Sequence, residues 1–237
     1  WKAMASTPDP SLIFFYSEKH GAYRTFSNFY ASPKPWRFEL PEYCNRVLCC
    51  QSGRQGSFLV VFAETAIMAC KAALMEDWQA FDSILTAKTP AAVKAHGRAV
   101  TPFDNAKWLS VVMRVAQQVV MAKSKGDEAF AELLVSTGDR LIAEAARYDA
   151  LWGIKLASDD PTARVPPLWL GLNILGWSLM HTRDTIQRDT ERARIDWFST
   201  TPPSNIQRRS ADTLQPASPI APLLETHERA ALGVAHR

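Results

Sequence analysis

An acidic residue, Glu64, opens a helical pattern directly after the β-like run 57–62. In this pattern Ile67 and Leu74 lie on an apolar stripe, whereas Glu64 and Lys71 fall on an adjacent face. Because the amino-terminal end of a helix favours negative charge, we expect Glu64 to stay ionised near neutral pH. Such a carboxylate suits a general base or a group that stabilises a cation. Compensation of the helix dipole is the alternative explanation.

Further candidates stand where predicted elements meet, and each alone has an ordinary structural explanation. Trp108 has the helical spacing of a buried core residue, and Asp149 lies in a loop, where aspartates usually cap turns. Asn28 follows the aromatic Phe26, and Trp152 follows Asp149 three residues later. These side chains form a ligand site only if the fold brings them to the helix-opening carboxylate.

The composition excludes several classes of function. At 237 residues and 47% hydrophobic content, the chain can bury one good-sized core, or one domain with a tail. Its net charge of +3 is too small for bulk electrostatic binding to nucleic acid or membranes. No apolar run approaches membrane-spanning length, and no signal peptide, glycine-rich phosphate loop or serine nucleophile elbow is recognisable. We therefore expect an intracellular, cytoplasmic protein, with the nucleus left open, and no membrane partner.

Cysteine and histidine spacing gives no support for a metal site. The four cysteines, Cys44, Cys49, Cys50 and Cys70, lack the paired spacing of a zinc site, and the five histidines are scattered. So few cysteines fit a reducing compartment better than a disulfide scaffold. The sequence therefore predicts neither a metal nor a cofactor.

Hydrophobic periodicity and turn residues predict a mainly α chain of the α+β class, with a small β portion near the N-terminus. Helical spacing predicts helices over 64–76, 77–86, 89–98, 105–123, 127–135 and 173–198. Strands are predicted at 12–16, 46–50, 57–62 and 140–146, with the middle two joined as a hairpin, and loops at 33–41 and 148–154. We expect one compact domain over 11–198 between a disordered lead, 1–10, and a disordered tail, 199–237.

Five stretches, taken in order, resemble the NADAR (NAD and ADP-ribose associated) or YbiA-like family. They run from about residue 13 to 184 and read FFYSEKHGAYRTFSNFY, ETAIMACKA, HGRAV-x-x-FD-x-x-x-W, L-x-x-TGD-x-x-x-x-EA-x-x-YD-x-x-WGI and W-x-G-x-N-x-LG-x-x-LM-x-x-R. The resemblance implies a compact, mainly helical N-glycosidase without a metal. Its implied substrates are ADP-ribosylated guanine, in nucleic acid or free, or the phosphoribosylamino-pyrimidine intermediates of riboflavin synthesis.

The resemblance also implies catalytic roles for particular residues. Glu64 would stabilise the positive charge that builds on the anomeric carbon and take a proton from water. Asp149 would be the second carboxylate, with a different pKa. Lys71 or Lys19 is the candidate amine for a covalent Schiff-base route.

Substrate-binding roles fall on a second group of residues. Aromatic walls would come from Phe26 and Trp152, and Asn28 would hydrogen-bond sugar or phosphate oxygens. The full expected binding set is Phe26, Ser27, Asn28, Trp108, Trp152 and Gly153.

The chain departs from the family pattern at Arg24, Thr65, Ala146 and Lys155, and these positions bear on substrate specificity. Two alternatives to the nucleobase substrate remain open at this point. One is a small phosphorylated ribosyl-base metabolite, which a closed basic pocket would favour. The other is an inactive module that binds ADP-ribose or a nucleotide.

Overall fold

The structure, a computed structural model, describes residues 11–200, with side chains described through residue 193. The helices are α1 Arg46–Gln51, α2 Ala63–Leu74, α3 Trp78–Thr86, α4 Pro90–Arg98, α5 Asn105–Leu109, α6 Val112–Gly126, α7 Glu128–Val135 and α8 Ile174–Thr200. The strands are β1 Leu12–Phe15, β2 Trp36–Glu39, β3 Ser57–Val60 and β4 Leu141–Glu144. The predicted class, mainly α with a small β portion, is confirmed.

The chain divides into one unit that ends at Thr185 and a second that begins at Ile186, within α8. Of the second unit the structure describes the helix through Thr200. The predicted disordered lead, 1–10, lies outside the described residues, and so does the predicted tail from residue 201 onward.

Capping side chains fix the helix starts that the sequence predicts. Thr89 Oγ1 accepts the backbone N–H of Ala92 at 3.2 Å, in front of a proline at the first position of α4. Asp104 Oδ1 likewise accepts the N–H of Lys107 at 2.9 Å. The single helix predicted over 105–123 is instead two helices, α5 and α6, because the chain turns between them.

Two predictions about the early β structure were wrong. The segment predicted as a strand at 46–50 is helix α1, and the proline-bounded loop 33–41 contains strand β2. This strand alternates buried Trp36 and Phe38 with exposed Arg37 and Glu39, and its prolines lie outside it. Strand β3 pairs antiparallel with β2 and not with the predicted partner.

The second sheet brings distant parts of the chain together. Strand β1 pairs in parallel with β4, and Phe15 lies opposite Glu144 at the end of the pair. Parallel pairing needs a long crossover, which α1 to α7 provide. The pairing anchors Glu144 beside the buried end of β1.

Helix α2 is the centre of the larger core, and each of its residues except Lys71 is buried. Its many alanines let α3, α4 and α6 pack closely against it. A Cβ added at Gly97 of α4 would lie 2.0 Å from the Met68 sulfur, which shows how closely α4 approaches. The packing of α2 carries Glu64, its second residue, into the protein interior.

Candidate active site

Glu64 is a buried carboxylic acid near the start of α2. Glu64 is 4% exposed, and its backbone N–H donates to the carbonyl of Asn28 at 3.0 Å. Burial raises the pKa of Glu64 to about 7, against the opposing charge of Lys94. With a pKa of about 7, Glu64 is only partly ionised at neutral pH, whereas the sequence predicted that it stays ionised there; burial disfavours the charged form.

Glu144 is a second carboxylic acid with a raised pKa, and sequence reasoning did not select it. Its Oε2 is inaccessible to solvent and has no hydrogen-bond partner among the described residues. Burial raises its pKa to about 8, the negative charge of Asp149 adds to the effect, and Lys94 opposes it. A negative charge on Glu64 raises the pKa of Glu144 further, and this is the smallest of the four contributions.

Backbone hydrogen bonds fix Glu144 at the end of β4. Its N–H donates to Asn173 Oδ1 at 3.0 Å, and its carbonyl accepts the N–H of Ile154 at 2.9 Å. The Asn173 amide also donates to the Ile142 carbonyl at 2.9 Å. Asn173 thus ties the start of α8 to the strand that carries Glu144. The available sequence signal was an acidic residue that ends an otherwise apolar strand.

Asp149 caps the loop that follows β4. Its Oδ1 accepts the backbone N–H groups of Leu151 at 3.0 Å and Trp152 at 2.8 Å. Its negative charge raises the pKa of both Glu64 and Glu144, so the three carboxylates share one region. Asp149 therefore stabilises the loop and adds negative charge near both glutamates. Glu144, like Glu64, has a pKa near neutrality.

Basic side chains from α2 and α4 face these carboxylates. Lys94 and Arg98 stand four residues apart on α4, and both lower the pKa of Glu64. Lys71 Nζ donates to the carbonyl of Gly97 at 2.7 Å, and burial lowers its pKa. Sequence reasoning selected Lys71 but missed Lys94 and Arg98, although their spacing on a predicted helix places them on one face.

Two aromatic rings lie next to these cations. Lys94 Nζ is 5.2 Å from the centroid of the Phe29 ring, and Lys71 Nζ is 4.3 Å from that of Phe103. Phe103 is 44% exposed and Phe29 is partly exposed. Both rings are therefore available to a ligand that binds the same cations.

Two of the expected site residues are buried in the core, and a third is exposed. Phe26 is 2% exposed, and its ring stacks on Tyr23 and meets Phe130 edge-on, which makes it a core residue. Trp108 is also buried, in the core around α2. Lys19 is exposed, and it is absent from the charges that act on Glu64 and Glu144.

The other expected binding residues have positioning roles in the structure. Ser27 Oγ accepts the N–H of Phe29 at 3.2 Å and so shapes the turn before Asn28. A Cβ at Gly153 would lie 2.6 Å from the Glu144 carbonyl, so glycine is needed there for close packing. Trp152 is half-buried and packs against both large core clusters.

One departure from the family pattern has a backbone consequence. Lys155 stands where glycine is common in the family and adopts φ 57°, the left-handed region that glycine occupies without steric cost. Thr65 and Ala146 are buried, whereas Arg24 is exposed with its guanidinium 5.9 Å from the Tyr30 ring centroid.

Two cavities lie outside the carboxylate cluster. The larger, about 860 Å³, runs between β2 and α6, and the smaller, about 510 Å³, is bounded by Phe103 beside Lys71. Neither lining includes Glu64 or Glu144. The candidate active site is therefore identified by the carboxylates and the cations near them, and not by the size of a cavity.

Within the described part of the chain, no three His, Cys, Asp or Glu side chains are grouped as a metal site requires. No helix in that part combines the length and apolar character needed to cross a membrane.

Comparison with known proteins gives a family, a relative and a fold. The family model of the NADAR domain matches residues 14–187. The chain is 30% identical to N-glycosidase R617 of Acanthamoeba polyphaga mimivirus over 128 residues, which are 54% of this chain and 75% of the viral protein. The NMR structure of the E. coli protein YbiA matches with a TM-score of 0.56 at 23% identity, over 78% of this chain and 90% of YbiA.

These comparisons confirm the resemblance and the YbiA-like fold that the motifs implied. The viral relative carries the name N-glycosidase, which confirms, for the family, the expected class of enzyme, a hydrolase acting on N-glycosyl bonds. The family match spans most of the described residues and contains Glu64, Glu144, Asp149 and Lys94. The chain therefore belongs to the NADAR family.

Proposed function

We propose that the protein is an N-glycosidase that removes ADP-ribose from ADP-ribosylated guanine. It hydrolyses the bond between the guanine and the ribose of ADP-ribose to which the guanine is attached. The observation that carries this proposal is the presence of two carboxylic acids, buried Glu64 and partly buried Glu144, whose pKa values are raised to about 7 and about 8. Cleavage of an N-glycosidic bond needs one group that accepts a proton and one that donates a proton. Two carboxyl groups that titrate near neutrality meet that need.

Glu64 is the base in this scheme. In the reactive form Glu64 is ionised and stabilises positive charge on the anomeric carbon as the bond to the base breaks. A water molecule then attacks that carbon, forms the new C–O bond and gives a proton to Glu64. The electron pair of the broken bond leaves with the base nitrogen.

Glu144 is the acid in this scheme. Its raised pKa of about 8 favours the protonated form near neutral pH, so it can donate a proton to the departing base nitrogen. The products are the free ribose hydroxyl and the protonated base, and each carboxyl group regains its starting state through solvent.

The cations around the pair support a phosphorylated substrate. Lys94 and Arg98 lie on the same face of α4, and Lys71 joins them from α2. Three positive charges exceed the two negative charges of Asp149 and ionised Glu64, and a diphosphate such as that of ADP-ribose can bind the excess. Phe29 and Phe103 beside them offer ring faces to a base or a ribose.

A substrate panel tests the proposal. Purified protein is incubated at pH 7.5 with ADP-ribosylated guanosine, and free ADP-ribose is quantified by chromatography, with Glu64→Gln as the matched variant. We expect release by the wild type and a loss of about 10²–10⁴-fold in the variant. Turnover of phosphoribosylamino-pyrimidines alone would show instead that the substrate is a small phosphorylated ribosyl-base metabolite. Tight ADP-ribose binding without turnover of either substrate would identify an inactive binding module.

A further inference from the structure

The groove between β2 and α6 concentrates positive charge away from the carboxylate cluster. One wall is a single face of α6, and the other is β2 with the turn after it; the charged lining residues are Arg37, Glu39, Glu42, Arg46, Arg114 and Lys125. Four basic and two acidic side chains leave a net charge of +2 with histidine neutral.

Protein contacts hold the arginines of the groove in place. Arg37 donates to Ser57 Oγ at 3.1 Å, and the Arg114 guanidinium lies 3.9 Å from the centroid of the Tyr43 ring. Arg46 pairs with Glu39 at 3.6 Å, so these two charges compensate each other and the net charge of the groove stays at +2. A guanidinium has five N–H donors, so Arg37 and Arg114 keep donors free for an anion.

The groove has the length of several nucleotides. The residues from α6 follow helical spacing from Arg114 to Lys125, and a rise of about 1.5 Å per residue makes this face about 16 Å long. A face of this length can contact several consecutive phosphates of one strand. The Gln117 and Gln118 amides add neutral donors between the charged ends.

We propose that this groove, named here the β2–α6 groove, binds the phosphate backbone of a single-stranded nucleic acid that carries the modified base. The inference rests on the proposed function, because it places the ADP-ribosylated guanine in a polymer. The cations stand on both walls of the groove, where they can contact the backbone of a single strand. Its lining supplies charge and amides but no exposed aromatic ring, so the binding is independent of sequence.

The groove also adjoins the segment that leads to the candidate active site. Trp36, next to Arg37, lies opposite Val60 in the antiparallel pair. Val60 precedes Glu64 by four residues. A strand held along the groove therefore lies against the same sheet that delivers Glu64 to the start of α2.

Fluorescence anisotropy with an unmodified 12-nucleotide single strand tests the proposal on the full chain. The RNA and DNA forms of one sequence are used in separate arms, at 50 to 200 mM salt. The groove variant combines Arg37→Gln, Arg114→Gln and Lys125→Gln. The control combines Lys88→Gln, Arg147→Gln and Arg164→Gln, which removes the same charge outside the groove. Circular dichroism melting confirms that both variants are folded.

The expected result is at least a tenfold weaker affinity for the groove variant at 0.1 M salt. The slope of log affinity against log salt falls by about 2, because each lost phosphate contact on a single strand contributes about 0.7. The control stays within twofold of the wild type. Wild-type affinity in the groove variant, or an equal loss in the control, would overturn the proposal.

A second readout separates this inference from the proposed function. Release of ADP-ribose from ADP-ribosylated guanosine, a substrate without a polymer backbone, does not use the groove. We expect the groove variant to release it at the wild-type rate. If the wild type releases none while binding the single strand through the groove, the glycosidase proposal fails and the groove proposal stands. If the wild type releases ADP-ribose but does not bind the single strand, the groove proposal fails and the glycosidase proposal stands.

Discussion

Substitution of Glu64 by glutamine should stabilise the protein at alkaline pH. Burial raises the pKa of Glu64 from an ordinary value of 4.5 to about 7, so the folded protein holds this proton more tightly than the unfolded chain. The stabilisation is complete below pH 4.5 and is lost as pH rises through about 7. Each tenfold change in proton affinity is worth about 1.4 kcal/mol, which gives about 3 kcal/mol between the two limits. Glutamine is neutral throughout and does not bear this cost.

Urea denaturation of the wild type and of Glu64→Gln at pH 5 and pH 8.5 measures the effect. The difference in unfolding free energy between the two proteins should shift by about 2 to 3 kcal/mol in favour of the variant over this interval. Glu132→Gln, which removes a carboxylate at an exposed site on α7, is the matched control. An identical Glu64→Gln effect at both pH values would refute the claim that Glu64 is ionised at the expense of stability.

Three further predictions concern the surroundings of the pair. Lys94→Gln removes the cation that lowers the pKa of Glu64 and Glu144, so the pH optimum of turnover should move upward, and Lys94→Arg should restore it. An unchanged optimum would argue against an electrostatic effect of Lys94 on the two glutamates. Gly153→Ala should lower the free energy of unfolding by about 1 to 3 kcal/mol in urea, because the new Cβ would clash with the Glu144 carbonyl; a neutral effect would contradict the close packing. Borohydride added during turnover should leave Lys71 unmodified by intact-protein mass spectrometry, whereas a ribosyl adduct there would establish the Schiff-base route.

The helical part of the fold could be predicted because local signals agree there. Thr89, Asp104 and Asp77 cap helices with side-chain oxygens, and the apolar spacing of α2 is regular. The early β structure could not be predicted from local pattern. Four-residue strands such as β2 carry little periodic signal, and their partners are decided by packing.

The site was predictable in part for a related reason. Glu64 and Asp149 stand in recognisable motifs, and the structure places their charges in one region. The protonation of Glu64 was not predictable, because the helix dipole is visible in the sequence whereas burial is a property of the packed α2. Glu144 was missed because its significance comes from an oxygen left without a partner in three dimensions. Lys94 acts on both glutamates from another helix.

The pH dependence of turnover tests the carboxyl pair most directly. Initial rates of ADP-ribose release from ADP-ribosylated guanosine are measured from pH 5.5 to 9.5 for the wild type, Glu64→Gln and Glu144→Gln. We expect a bell-shaped kcat/KM profile with its maximum between the two pKa values of about 7 and about 8, and a loss of at least about 10²-fold in each variant. Release that is flat across this range, or undiminished in both variants, would contradict this expectation.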